Sequence, residues 1–167
     1  MDHANLGATA RFWLGRHDMF RELGTALTAG LADHREGRVD VFAFRGWFAP
    51  RLSFFLQNLE GHHQIEDQHY FPVFQAAERS LAHGFDLLEN DHLVIHDDLL
   101  STAETANGFL VAEAQSEGQA GDAVRRAADA YGDASERLLR RLVRHLEDEE
   151  DLIIPLILDR GEPAIGI

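Results

Sequence analysis

Apolar residues recur along most of this chain at alternating three- and four-residue steps, the period of one face of an α-helix. Trp13, Phe20, Leu27 and Leu31 mark such a face in the first stretch, and Phe48, Leu52, Phe55 and Leu59 in the second. Phe85, Leu88, Ile95 and Leu99 mark it in the third. Val124, Ala128, Tyr131, Leu138 and Leu142 mark it in the fourth, with Ser135 in register. No stretch sustains the period-two alternation of a strand. Breaks at Glu36-Gly37-Arg38, at Ser80 to Gly84 and at Gln115 to Asp122 leave four helical segments, about residues 8–35, 39–79, 84–114 and 121–150. Long helices with short connections predict an all-α, antiparallel up-down-up-down four-helix bundle. Pro50 interrupts the second segment, where it either opens the main helix at its first turn or kinks it.

Each apolar stripe turns polar when it is continued by its own rule. Leu59 is followed by His62 and then Glu66; Leu142 is followed by His145 and then Glu149. His17 sits between Trp13 and Phe20, and Leu88 leads to His92, with His96 one turn further. A single core histidine is ordinarily a hydrogen-bonded one. Ionisable groups on the core faces of four helices together need a shared partner, because each unpaired buried charge costs several kcal/mol in a domain stable by only about 5–15 kcal/mol. A pair of metal ions supplies that partner. The spacing fits, since residues at i and i+4 lie one above the other. His62 with Glu66, His92 with His96, and His145 with Glu149 each aim two donors at one place.

Composition narrows the chemistry. The chain of 167 residues contains no Cys, so disulfides, thiolate metal sites, iron–sulfur clusters and thiol catalysis are excluded. Imidazole and carboxylate without thiolate suit iron, manganese or zinc. The net charge of −14 opposes binding to nucleic acid and to anionic membranes, and no apolar run is long enough to span a bilayer. Residues Met1 to Ala10 carry neither a basic patch nor an apolar core of a signal peptide, so a cytoplasmic location is expected. Length and composition predict one domain over 1–167, with the metal-binding core at about 8–158.

Two segments share a frame. His62 to Pro72 (HHQIEDQHYFP) and His145 to Pro155 (HLEDEEDLIIP) both read HxxxExxxxxP. With His17 on the first helix and Asp91-His92 on the third, this resembles the hemerythrin-like HHE cation-binding family over about His17 to Pro155. The resemblance implies a four-helix bundle around an oxo-bridged pair of irons. It carries ligand roles onto His17, His62, Glu66, His92, His96, His145 and Glu149. It implies that Glu66 and Glu149 bridge, that His92, His96 and His145 cap one iron, and that His17 and His62 cap the other, leaving a position for O2, peroxide or NO. The fourth-helix motif is HxxxE rather than the HxxxxD of oxygen-carrying hemerythrins, which shifts the expectation from oxygen transport toward the varied redox roles of bacterial HHE proteins.

Other registers compete. His63 and Asp67 also form an i, i+4 pair, but about 100° from the stripe, and are expected to face away. His69 lies on the stripe beyond Glu66, beside the ligands near the bundle end. His3, His34 and His83 fall in terminal or loop regions and are expected to be solvated, as is the charge run Glu147, Asp148, Glu150 and Asp151. Glu66-x-x-His69 and Glu89-x-x-His92 match the di-iron motif of ferritin-like proteins, but the fourth helix carries none, which argues against that arrangement.

The leading expectation is a di-iron protein that binds O2, peroxide or NO for storage, sensing or scavenging. The alternatives are an enzyme that decomposes peroxide, reduces NO or donates iron for cluster repair, with Tyr70 or Tyr131 as proton donor, and a metal-free partner-binding bundle.

Overall fold

A computed structural model of the chain describes residues 5–116 and 121–167. His3 and the middle of the break at 115–122 lie outside the described residues. The helices are α1 (Ala8–Arg35), α2 (Val41–Ile65), α3 (Phe71–Ala77), α4 (Ala82–Gln115), α5 (Asp122–Arg160) and α6 (Glu162–Ile165). A π-helical turn, Glu66–Tyr70, joins α2 to α3, and one 3-10 turn, Arg79–Leu81, precedes α4. Among the described residues there is no strand, and no helix is long and apolar enough to cross a membrane.

Four long helices, α1, α2, α4 and α5, make an all-α bundle around one core. His34 late in α1 stacks on Phe44 early in α2, while His17 early in α1 meets His62 late in α2. Phe109 late in α4 meets Phe48 early in α2 and Tyr131 early in α5. His92, early in α4, meets His63 late in α2 and His145 late in α5. Each of these neighbouring pairs therefore runs in opposite directions.

Local sequence explains the ends and the irregularity. Asp40 caps α2, its carboxylate accepting from the amides of Phe42 and Ala43 at 3.0 Å each. The helix is thus already under way before Pro50, which lies inside it. Pro72 has no N–H to give to the carbonyl four residues back. Just before it the ladder steps to the wider π spacing, with the Phe71 amide bonded to the Glu66 carbonyl. This adds a residue to the turn. The inward position after Glu66 becomes Phe71, and His69 rotates out to an exposed position instead of staying beside the core. The repeated motif ends differently in α5, where Pro155 sits within a helix that continues to Arg160, past the expected end near residue 150.

The buried side chains form two apolar layers. The larger contains Phe20, Phe48, Phe55, Leu59, Leu138 and Leu142; the smaller contains Trp13, Phe71, Phe85, Leu88 and Ile153. Glu162 of α6 fastens the smaller layer to the start of α1, accepting from the Ala10 amide at 2.7 Å and supplying the side-chain cap that Gly7 lacks. In the larger layer His34 is not solvated. Its ring stacks on Phe44 at 4.2 Å and pairs with the buried Glu113.

Phe48 has no exposed surface and sits among the rings of Phe44, Phe109 and Tyr131. Phe48→Ala is expected to lower unfolding stability by about 3–5 kcal/mol, the usual range for such a cavity. Phe42→Ala, at a mostly exposed ring, should change it by less than about 0.5 kcal/mol. Urea denaturation of the two variants checks the assignment, and equal losses would contradict it.

Candidate metal centre

The polar residues of the stripes meet in one layer between the two apolar ones. His17 comes from α1, His62 and His63 from α2, Glu66 from the π turn, His92 from α4, and His145 and Glu149 from α5. All seven are buried, Glu66 to 1 % and Glu149 to 0 % exposure. Their donor atoms fall into two groups, His63 with His92 and His145, and His17 with His62, Glu66 and Glu149; within each group the atoms lie within 4.8 Å of one another.

The two carboxylates tie the groups together. Glu66 Oε1 lies 3.1 Å from His62 Nε2 and 4.0 Å from His17 Nε2, while its Oε2 lies 3.5 Å from His92 Nε2. Glu149 Oε2 lies 3.5 Å from His17 Nε2, and its Oε1 lies 3.6 Å from His145 Nε2 and 3.8 Å from His92 Nε2. Each carboxylate therefore directs one oxygen toward each histidine group. Donors around a cation at about 2.1 Å sit about 3 Å apart at right angles and about 4 Å apart across it. The observed separations fall in that range.

Outside this layer, carboxylates bond the far nitrogens of His17 and His92, and a third lies just beyond hydrogen-bond distance of His145. His17 Nδ1 is 2.8 Å from Glu150, which Arg21 also holds at 2.9 Å; His92 Nδ1 is 2.7 Å from Asp67; Asp91 lies 3.6 Å from His145 Nδ1. A neutral ring that gives its Nδ1 proton to a carboxylate presents the Nε2 lone pair inward, as a metal ligand must. Trp13 donates its indole N–H to Glu66 Oε1 at 2.6 Å.

What the site lacks is a protein partner for its inner face. His17 Nε2, His62 Nε2, His63 Nε2, Glu66 Oε2 and both oxygens of Glu149 are buried without a hydrogen-bond partner. Another buried acid, Asp98, is met by Arg137 and Arg141 at 3.0 Å each. Among the described residues no arginine reaches Glu66 or Glu149. Burial consequently drives the groups to their neutral forms. Desolvation lowers His17 to about 3, His62 to about 2, His92 to about 4 and His145 to about 3, and takes His63 well below its ordinary value. It raises Glu66 to about 8 and Glu149 well above its ordinary value. Burial is the main cause at both, the neighbouring Glu66 adds to it at Glu149, and the Trp13 indole N–H offsets part of it at Glu66. An array of neutral nitrogens and carboxyl oxygens turned on one another fits a cationic group at its centre.

The chain matches the family model of the hemerythrin HHE cation binding domain over residues 9–157. It belongs to the hemerythrin HHE cation-binding family. No curated protein and no solved structure matches it.

In this HHE protein the structure differs from the sequence reading at several positions. His63 is turned inward, its ring 4.0 Å from that of His92 and nearly parallel to it. The stripe was too narrow a guide. Glu66 lies about 40° around the helix from His62, and His63 about 100°, so Glu66 stands between the two rings on one wide inward arc. His96, expected among the ligands, stays outside: its side chain is 45 % exposed and bonded to Glu60 at 2.8 Å on the outer seam of α2 and α4. Asp67 and Glu150, read as off-site or solvated, hold His92 and His17. The signal for Asp67 was its i+4 relation to His63; no sequence signal separates Glu150 from its acidic neighbours. Tyr131 is buried against Phe48 and Phe109, whereas Tyr70 borders a cleft with Trp13 and His62.

The metal-free HHE site has a two-sided pH dependence. Folding keeps the five rings neutral, so their contribution to stability is fully present above the ordinary value of 6.5 and is lost as pH falls toward about 4 and below. Folding keeps the two carboxyls protonated, so their contribution is present below the ordinary value of 4.5 and is lost as pH rises through about 8 for Glu66. Chelator-treated protein is expected to be most stable near pH 6.5 and weaker on both sides. Urea midpoints across this range check it, and a midpoint climbing steadily above pH 6.5 would contradict it.

Proposed function

We propose that this HHE protein holds two iron ions and binds O2, peroxide or NO as a store, sensor or scavenger. His63, His92 and His145 hold one ion, His17 and His62 the other, and Glu66 and Glu149 are shared. His63 takes the place that the family resemblance implied for His96. The observation that carries this reading is that each buried carboxylate turns one oxygen to each histidine group. The donor set of nitrogen and oxygen suits iron, with manganese and zinc as the other candidates. The group with two histidines has fewer nitrogen donors and is the side at which a small ligand binds.

Bound iron supplies electron exchange with such a ligand. The chain supplies the rest. Phe20, whose ring lies 5.3 Å from that of His62, and Phe71, 5.4 Å from His92, keep bulk water from the layer. Asp67 and Glu150 fix the orientation of His92 and His17. Trp13 holds Glu66 through the indole N–H. A second reading, an enzyme that turns over peroxide or NO, is favoured by Tyr70, a phenol on the same cleft as His62. Stopped-flow mixing of the reduced protein with peroxide and NO, repeated with Tyr70→Phe, separates the two: turnover lost in the variant supports the enzyme.

Metal analysis of the iron-supplied protein is expected to give about two ions per chain, the number this donor set satisfies. Glu66→Ala and Glu149→Ala should lose the pair, and His63→Ala should lower the content toward one. His96→Ala should leave it unchanged. Asp67→Asn should keep both ions but weaken their retention about 10–100-fold, the usual effect of removing a group that orients a ligand. A content near zero with every residue intact, or loss on His96→Ala without loss on His63→Ala, would overturn the assignment.

A further inference from the structure

A cleft of about 360 Å3 opens between α1 and the end of α2, with His62 at its wall. Its sides are apolar and aromatic: Phe12 and Trp13 from α1, Ile65 and Tyr70 from α2 and the π turn. Trp13 is the same indole that holds Glu66, so the cleft and the buried polar layer share a wall. The volume is far larger than a diatomic gas requires, since a water molecule occupies about 30 Å3. It lies in the range of sites that enclose an organic molecule.

One charge faces this apolar space. Arg16 lines the cleft and gives an N–H to Asn58 Oδ1 at 2.8 Å. Asn58 is itself oriented, because its own amide donates to the Phe54 carbonyl at 2.8 Å. The guanidinium also lies 5.4 Å from the ring centroid of Phe20. Among the described residues no carboxylate lies within ion-pair distance of Arg16. In a chain of net charge −14, this arginine is thus positioned by neutral groups and keeps its charge available. Its N–H fork matches a carboxylate. Opposite charge on the ligand is selected here by a fixed cation, and the aromatic walls select its body.

We propose that this cleft binds a small organic monoanion with an aromatic or branched apolar body, its carboxylate on Arg16 and its body among Phe12, Trp13, Ile65 and Tyr70. The site does not depend on which metal the neighbouring layer holds. It places an organic molecule beside the HHE centre, against the wall that Trp13 and His62 share with the polar layer.

The test is calorimetric titration of the protein, with the metals it carries, using phenylacetate, its neutral analogue phenylacetamide, and acetate. Phenylacetate is expected to bind at one site per chain, with phenylacetamide about ten-fold weaker or more for want of the charge-assisted hydrogen bond, and acetate weaker by a similar order for want of the buried ring. Arg16→Gln should reduce phenylacetate to the level of phenylacetamide. Gly61→Phe should abolish binding of all three. Gly61 lines the cleft, and a Cβ added there meets nothing within 4 Å, so a side chain can start from this position into the cleft. Metal content measured on each variant should be unchanged, which separates failure here from failure of the iron assignment. No saturable binding of phenylacetate, equal binding of phenylacetamide, or undiminished binding by Gly61→Phe would overturn the proposal.

Discussion

Two carboxylates and five imidazoles share one layer of this core, and among the described residues no arginine reaches the two carboxylates. Water would solvate such groups, and a low-dielectric interior does not. The bundle without a cation answers by neutralising them: the rings lose their protons and the carboxyls keep theirs. That solution leaves the inner nitrogens of His92 and His145 turned on each other at 2.9 Å, and it leaves six buried oxygen and nitrogen atoms of the inner face unsatisfied. A cation at the centre resolves every one of these contacts together. The rest of the bundle is arranged around that requirement, with an apolar layer on each side to exclude water and a row of carboxylates outside to fix the rings.

The π turn at Glu66–Tyr70 serves the same requirement. It lets α2 present His62, Glu66 and His63 on one arc and then hand the core to Phe71 rather than to His69. Pro72 follows it and has no N–H to return to the ladder, yet Pro155 in α5 shows that a proline in this frame does not by itself widen the helix. The second copy of the motif keeps α-helical spacing through Pro155, so Glu149 is followed inward by Ile153. One sequence frame thus yields two local geometries, and both place a carboxylate between histidine groups.

Much of this was legible in the sequence. The 3.6-residue period defined four helices, and the stripes of α1 and α5 predicted the inward placement of His17, His145 and Glu149 because those helices keep an unbroken register from end to end. The family followed from the paired motifs. That His63 is buried and His96 half-exposed was not legible. Both sit at the margins of their stripes, and which margin faces inward depends on how α2 and α4 are rotated about their axes, a property of packing rather than of spacing. The roles of Glu150 and Asp67 were hidden for a related reason: a carboxylate that orients a histidine on another helix has no fixed offset in the chain. His34 read as solvated because it closes its segment beside the break at Gly37, yet the last turn of α1 carries the ring into the core beside Glu113.

The central claim is that the polar layer belongs to the folded core only in the company of a cation. The most direct test is thermal unfolding of chelator-treated protein at neutral pH, repeated under anaerobic conditions with increasing ferrous iron. The account predicts a helical but loosened metal-free bundle whose Tm rises with iron concentration, as required for a ligand that binds the native state alone. A Tm that is the same with and without iron would contradict it.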